Sequence, residues 1–271
     1  MEQKFSVLLN IYAKDRPAWI QQALESVLNN TVHPAEVVIM VDGPTSKEIQ
    51  TILDEASKNQ TVRILSHKIA YGRAEALSFA IPKCSYDLIA LHSADSISLP
   101  DRFEKQLSYF KANPETAVLG GWGQEIDGDT LLPTAIREVP EKEPDIKTLL
   151  RRKSPFVYRT VMFKKQAVLE AGNYKSFGVL EDEYLWVRLI GKGYKTANLP
   201  DILTRVRSNT AHYTKVMRLP YFQMKKELFE EMYQLGLISK FTYYRLLCTC
   251  FIKYLFCPNW LLRILPREAE F

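Results

Sequence analysis

Four short apolar runs, each followed by a segment whose apolar residues recur at helical spacing, restrict this chain more than any other feature it has. Residues 5–11 favour β-structure and carry no helical period, as in a strand buried on both faces. The polar turn Ala13-Lys14-Asp15-Arg16-Pro17 follows, and then Trp19, Ile20, Ala23, Leu24, Val27 and Leu28 repeat at helical spacing through Asn29. Residues 36–41, 62–65 and 88–91 repeat the strand pattern, with helices predicted around 49–56 and 73–81 between them.

Strands alternating with helices make βαβ units, and these build a parallel sheet covered on both faces. Ligands of such sheets bind beyond the carboxyl ends of the strands, where the connecting loops gather. That rule singles out the loop after Ile11, the loop at Asp42 and the loop Ser93-Ala94-Asp95-Ser96, all on one edge.

From Asp101 the pattern loosens. Phe103, Leu107 and Phe110 mark a helix, residues 117–122 a strand, and residues 123–144 a long polar excursion rich in acids and prolines. Residues 161–163 resume a strand, 166–171 form a short helix, and 183–190 a helix that ends at Gly191-Lys192-Gly193. Beyond Pro200 the sequence reads as helical, with 219–237 and 240–265 rich in aromatic and basic residues and a break at Pro258. Residues 246–252 and 260–265 are strongly apolar but punctuated by Arg245, Lys253 and Arg263. Such a mixture suits a helix lying in the interface of an anionic membrane, or one docked on the rest of the chain.

Composition narrows the classes. A hydrophobic share of 46% with 25% charged residues is that of a globular protein, and 271 residues suffice for one large α/β domain with an appendage. The formal charge of +5 allows anionic partners without choosing among them. Cys84, Cys248, Cys250 and Cys257 form no CxxC pair and have no histidine cluster beside them, so a zinc site is not expected. There is no signal-peptide pattern and no uninterrupted apolar span of membrane length, which places the chain in the cytoplasm, with peripheral contact to the membrane face through 240–265 as the alternative to plain solubility. No GxGxxG follows a strand and no Walker-type phosphate loop occurs, so dehydrogenase and kinase readings lack their anion cradles. Basic aromatic stretches without zinc-finger spacing or an RNP-type segment give no case for nucleic acid.

Three acidic places could carry chemistry. Asp42 follows a strand and precedes Gly43-Pro44-Thr45; it can accept hydrogen bonds from a nucleobase or ribose, or merely open a turn. Asp95 ends the fourth strand, where a carboxylate can hold a hard cation beside a diphosphate; its alternative job, capping the next helix, falls better to Asp101. Glu181-Asp182-Glu183 heads an apolar-periodic helix. That is either favourable charge at a helix start or a general base.

In order along the chain, these segments resemble family 2 glycosyltransferases, whose catalytic domain has the GT-A type fold. The resemblance spans residues 5–205. It rests on residues 6–12 with 23–31, on 36–43, on Ser93 to Arg102 with its Leu-Pro-Asp-Arg ending, and on 161–163 with 167–174. Glu181-Asp182 followed by Leu185-Trp186-Val187-Arg188-Leu189 completes it. It implies an α/β, mostly parallel sheet flanked by helices over residues 1–210, with a nucleotide-binding half at 1–100, an acceptor half at 101–210, and a helical extension at 211–271. It implies a nucleotide-sugar donor, UDP-linked by default, and a glycan or lipid-linked glycan acceptor, as in bacterial surface polysaccharide synthesis. The reaction would be a single inverting displacement. Asp42 would contact the nucleoside, Asp95 would ligate Mn²⁺ or Mg²⁺ beside the diphosphate, and Asp182 would be the base, with Glu181 adjacent. Tyr12, Arg73, Ser93 and Arg159 complete the donor side, while Trp186 and Arg188 would support the catalytic helix.

The chain departs from the family at informative points. Val41-Asp42-Gly43 stands where Asp-Asp-Gly is usual, and Ser93-Ala94-Asp95-Ser96 where Asp-Ala-Asp-Asp is usual. Tyr158-Arg159-Thr160 replaces a segment that often holds a histidine. Two lost acids predict weak or altered metal dependence, with Arg159 pairing with phosphate in partial replacement of the cation. The same losses leave room for an impaired member that binds sugar nucleotides or glycans, or partners another transferase. A nucleotidyltransferase would need a Gly- and basic-rich loop near the first strand, which is lacking.

Overall fold

The computed structural model describes residues 3–208 and 218–253. Its first half is the expected alternation: β1 (Phe5–Tyr12), α1 (Pro17–Leu28), β2 (Glu36–Asp42), α2 (Lys47–Ala56), β3 (Val62–His67), α3 (Arg73–Ala80) and β4 (Leu88–Ser93). These four strands are parallel and ordered β3-β2-β1-β4, with Leu8 of β1 level with Val38 on one side and Leu91 on the other. Side chains alternate across the sheet with period two. Val7, Leu9 and Ile11 join Ile20 and Leu24 of α1 and Ile49 and Leu53 of α2 in one apolar cluster. Leu8 joins Met40, Ala76 and Leu77 on the opposite face.

The second half contains β5 (Ser96–Ser98), α4 (Arg102–Ala112), β6 (Thr116–Asp127), β7 (Pro133–Arg137), α5 (Glu143–Leu150), β8 (Met162–Lys164), α6 (Lys165–Glu170), α7 (Glu181–Gly191) and β9 (Lys195–Ser208). The sheet continues beyond β4 as β8-β6-β9-β5, and β7 pairs with β6. Here the pairing is mixed: β8 is antiparallel to β4 and β6, β5 to β9 and β7 to β6, while β9 is parallel to β6.

Two expectations need correction. Residues 123–144 are no open polar excursion. β6 runs through them to Asp127, whose Oδ1 accepts from the amides of Asp129 and Thr130 at 3.1 and 2.8 Å, and the chain returns as β7. The stretch from Pro200 to Ser208 is strand, and helix begins only at Arg218. Proline supplies no ladder donor. β9 accommodates Pro200 by a register shift, pairing Leu199 with Gly121 and next Ile202 with Trp122. In both places partner strands, not local preference, decide the conformation.

The extension supplies α8 (Arg218–Gln234) and α9 (Lys240–Phe251). Its described residues share the core of the rest of the chain. Tyr221, Leu228, Phe229 and Met232 of α8, with Tyr243 and Cys250 of α9, share the cluster that holds Leu185 and Trp186 of α7. The other face of α9 exposes Phe241, Tyr244 and Ile252. The second apolar stretch, 260–265, lies outside the described residues. No helix among the described residues is long and apolar enough to cross a membrane.

Candidate active site

The carboxyl ends of β1, β2 and β4 open into a cavity of about 770 Å³. Tyr12, Asp42, Arg73, Ser93, Asp95, Arg159 and Glu181 all line it, so residues spread over 170 positions of sequence converge at the edge where parallel strands meet their ligands. Asp182 is off the cavity wall and bonded to it through Arg73.

The segment after β4 is built to hold Asp95 still. Arg102, at the head of α4, is fully buried and donates through Nη2 to the Leu91 carbonyl at 2.9 Å and through Nε to Gln106 at 3.1 Å. Its Nη1 lies 3.3 Å from Nδ1 of His92. Burial, and then the Arg102 charge, push the His92 ring down to about 3, so it is a neutral acceptor. The arginine of the Leu-Pro-Asp-Arg motif is thus a staple for the strand end. Asp101 stands at the start of α4 but caps nothing with its side chain; it pairs with Lys105 at 2.8 Å instead.

Asp95 itself is spoken for. Arg159, on the 3-10 turn Tyr158–Thr160, donates from Nη2 to Oδ2 at 2.6 Å and from Nε to Oδ1 at 2.9 Å. Ser93 donates its hydroxyl to the same Oδ1 and is 2.8 Å from the Ser96 hydroxyl. Burial works to raise the Asp95 carboxyl, but Arg159 and Ser93 hold it below the ordinary aspartate value.

Across the cavity one guanidinium meets two carboxylates. Arg73, first residue of α3, donates through Nε to Glu181 and through Nη2 to Asp182 Oδ2 at 2.5 Å. Its face lies over Tyr158, 4.4 Å from the ring centroid. Tyr174 donates to the other Asp182 oxygen at 3.1 Å. Burial raises the Glu181 carboxyl; Arg73 opposes and neighbouring Asp182 reinforces, and the balance lies above the ordinary glutamate value. A carboxylate shifted that way and facing a cavity is suited to take a proton near neutrality. Trp186, edge-on to Phe156 at 5.2 Å, and Arg188, donating to the Ala171 carbonyl at 2.6 Å, anchor α7 as expected.

Asp42 is almost completely buried, and both its oxygens serve the loop after β3. The Tyr71 and Gly72 amides donate to it at 3.0 and 2.8 Å, and His67 Nδ1 at 3.0 Å. Gly43 is required beside it: φ is +91°, and a Cβ there would stand 2.8 Å from the Ala70 nitrogen. Tyr12 is raised by burial and stays a neutral phenol, accepting from Asn10 Nδ2.

Trp19, Tyr158 and Arg207 are among the cavity residues that the sequence pattern does not single out. Trp19 counts as core in the helical pattern, yet it forms cavity wall between two cations, with Arg16 and Arg207 stacked at 4.5 and 5.1 Å from its ring. Tyr158 stands out in the sequence only as a replacement in its segment. Arg207 was hidden by reading residues beyond Pro200 as helix; placed on a strand, it falls at a strand end like Asp42 and Asp95.

These residues do not fit a resident divalent cation. Hard cations want several free oxygens. Asp95 is a lone carboxylate with both oxygens engaged, Ser93 and Ser96 are hydroxyls, and no group of three or more His, Cys, Asp or Glu able to hold a metal occurs among the described residues.

Comparison with known proteins shows the family and the fold. The family model described as glycosyl transferase family 2 matches residues 6–172. The chain is 32% identical over 238 residues to the amylovoran biosynthesis glycosyltransferase AmsE of Erwinia amylovora, covering 88% of this chain and 87% of that one. It is 30% identical over 204 residues to the UDP-Gal:alpha-D-GlcNAc-diphosphoundecaprenol beta-1,3-galactosyltransferase of Escherichia coli, covering 75% and 74%. Among solved structures it is similar to S. aureus TarS 1–349 in complex with UDP-GlcNAc, with a TM-score of 0.73 at 12% identity, covering 98% of this chain and 77% of that one. The last likeness establishes the GT-A type fold.

Proposed function

This chain belongs to glycosyl transferase family 2 and is a glycosyltransferase of the bacterial polysaccharide type, and from that premise we propose that it moves a sugar from a nucleoside-diphosphate donor, a UDP-sugar by default, to a hydroxyl of a glycan or lipid-linked glycan, with inversion. The observation that carries this reading is the pairing, across one cavity, of the Asp95 strand end with the Glu181–Asp182 pair heading α7. The first lies where a parallel sheet receives phosphates; the second presents a carboxylate with raised proton affinity. The acceptor oxygen attacks the anomeric carbon from the carboxylate side, the bond to the diphosphate oxygen breaks, and the acceptor proton passes to the carboxylate pair. Arg73 bridges Glu181 and Asp182 and so holds the two carboxylates side by side. The charge on the leaving diphosphate falls among the cations of the cavity wall.

The donor and acceptor classes are supported by the name of the E. coli relative, which specifies a UDP-sugar and a diphosphoundecaprenol-linked acceptor. An acceptor of that kind sits in a membrane, and the exposed face of α9, with Phe241, Tyr244, Arg245 and Ile252, has the aromatic, apolar and basic make-up of an interfacial contact. Flotation with anionic liposomes should be lost on truncation before Lys240; equal flotation would remove the tail as an anchor. For the reaction, nucleoside diphosphate release from a panel of nucleotide sugars should single out one donor and collapse in Asp182→Asn. No release from any donor in the presence of polyprenyl-linked acceptors would defeat the proposal.

A further inference from the structure

The buried guanidiniums that reach the cavity differ in how their N–H groups are used. Arg73 is committed to Glu181 and Asp182, and Arg159 to Asp95 and Ser93. Arg207, on β9, is only 2% exposed and lines the same cavity. Its Nη2 donates to Gln22, and its plane lies over Trp19, but Nε and Nη1 have no hydrogen-bond partner among the described residues. The indole face stabilises the charge without satisfying a single N–H. Buried donors of this kind are ordinarily paired, and an exception asks for a ligand. Burial pulls Arg207 below the usual arginine value, and Asp95 opposes this only in part.

Position and shape say which ligand. The Arg207 amide donates to the Asp95 carbonyl at 3.0 Å, which fixes this residue at the carboxyl end of β4 rather than beside α7. The two idle N–H groups leave from different edges of the guanidinium. A carboxylate engages one edge; a diphosphate has acceptor oxygens on two phosphorus centres and can meet both.

We propose that Arg207 is the cavity's diphosphate-binding guanidinium, holding the donor's phosphate oxygens through Nε and Nη1. This rests on the nucleotide-sugar reading and deepens it. When the anomeric C–O bond breaks, its electron pair stays with the diphosphate oxygen, and Arg207 carries part of the charge that Arg159, spent on Asp95, does not.

The test is titration of the whole chain, in EDTA, with UDP, GDP, dTDP and inorganic pyrophosphate, and with the matching nucleosides. Arg207→Gln should weaken the bound diphosphate and pyrophosphate at least tenfold while nucleoside affinity stays within twofold. Arg207→Lys, which keeps the charge and loses the fork, should fall between and covers the case in which the glutamine variant does not fold. Diphosphate affinity left intact, or lost in equal measure with nucleoside affinity, overturns the role of Arg207. A wild-type chain that binds none of these ligands would overturn the nucleotide-sugar reading as well.

Discussion

The two ends of the cavity use the same chemistry in different proportion. At the β4 end one guanidinium, Arg159, meets one carboxylate, Asp95. At the α7 end one guanidinium, Arg73, is shared by two, Glu181 and Asp182. All of these side chains are largely buried, so the solvent does little to even out the difference. A one-to-one pair is neutral, and its carboxyl is held below the ordinary range. A one-to-two cluster keeps a surplus negative charge, and Glu181 ends above it. Burial, with Asp182 beside it, keeps Glu181 receptive to protons, whereas Arg159 and Ser93 overcome burial at Asp95.

That contrast can be broken from either end. The largest effect belongs to the receptive pair: Glu181→Gln and Asp182→Asn should each lower kcat by about a thousandfold, within the range of general-base loss. Wild-type turnover from either variant would remove that residue from the pair. Next comes the shared cation. Arg73 lowers the proton affinity of Glu181, so Arg73→Met should raise it and move the acid limb of the kcat/KM profile to higher pH. Arg159→Met, tested alongside, should leave that limb in place.

At the neutral end the expected loss is one of stability. Asp95→Asn leaves Arg159 without its counter-charge and should cost about 1–3 kcal/mol in denaturant unfolding at pH 7. The carboxyl titrates lower in the folded protein than in the unfolded chain, so its contribution is complete above the ordinary aspartate value of about 3.9. It is lost as pH falls through the folded value, and the gap between variant and wild type should close in strong acid. The smallest effect concerns metal. With Asp95 engaged, turnover in EDTA and in added Mn²⁺ should differ by no more than about threefold, on the weak ligation expected of one occupied carboxylate. Saturable dependence at micromolar Mn²⁺ would show that the donor frees Asp95 from Arg159.

The strands and helices from Phe5 to Ser93 were readable because local signals agree there. Apolar runs, helical spacing and turn residues all point the same way, and Asp42, Asp95 and Glu181 follow from strand and helix ends. The end of β6 and the strand β9 were not readable, since Gln124, Glu125, Arg205 and Arg207 look polar until neighbouring strands make them a sheet. The sequence by itself determined the α/β order, the edge at which the site opens and most of the acids that line it. Only the tertiary structure decided which cation faces which acid. It set Arg159 on Asp95, Arg73 between Glu181 and Asp182, and Arg207 against Trp19 with two donors idle. Periodicity is a property of neighbours along the chain, whereas charge pairing depends on distances between residues 60 to more than 100 positions apart, and no local pattern encodes those.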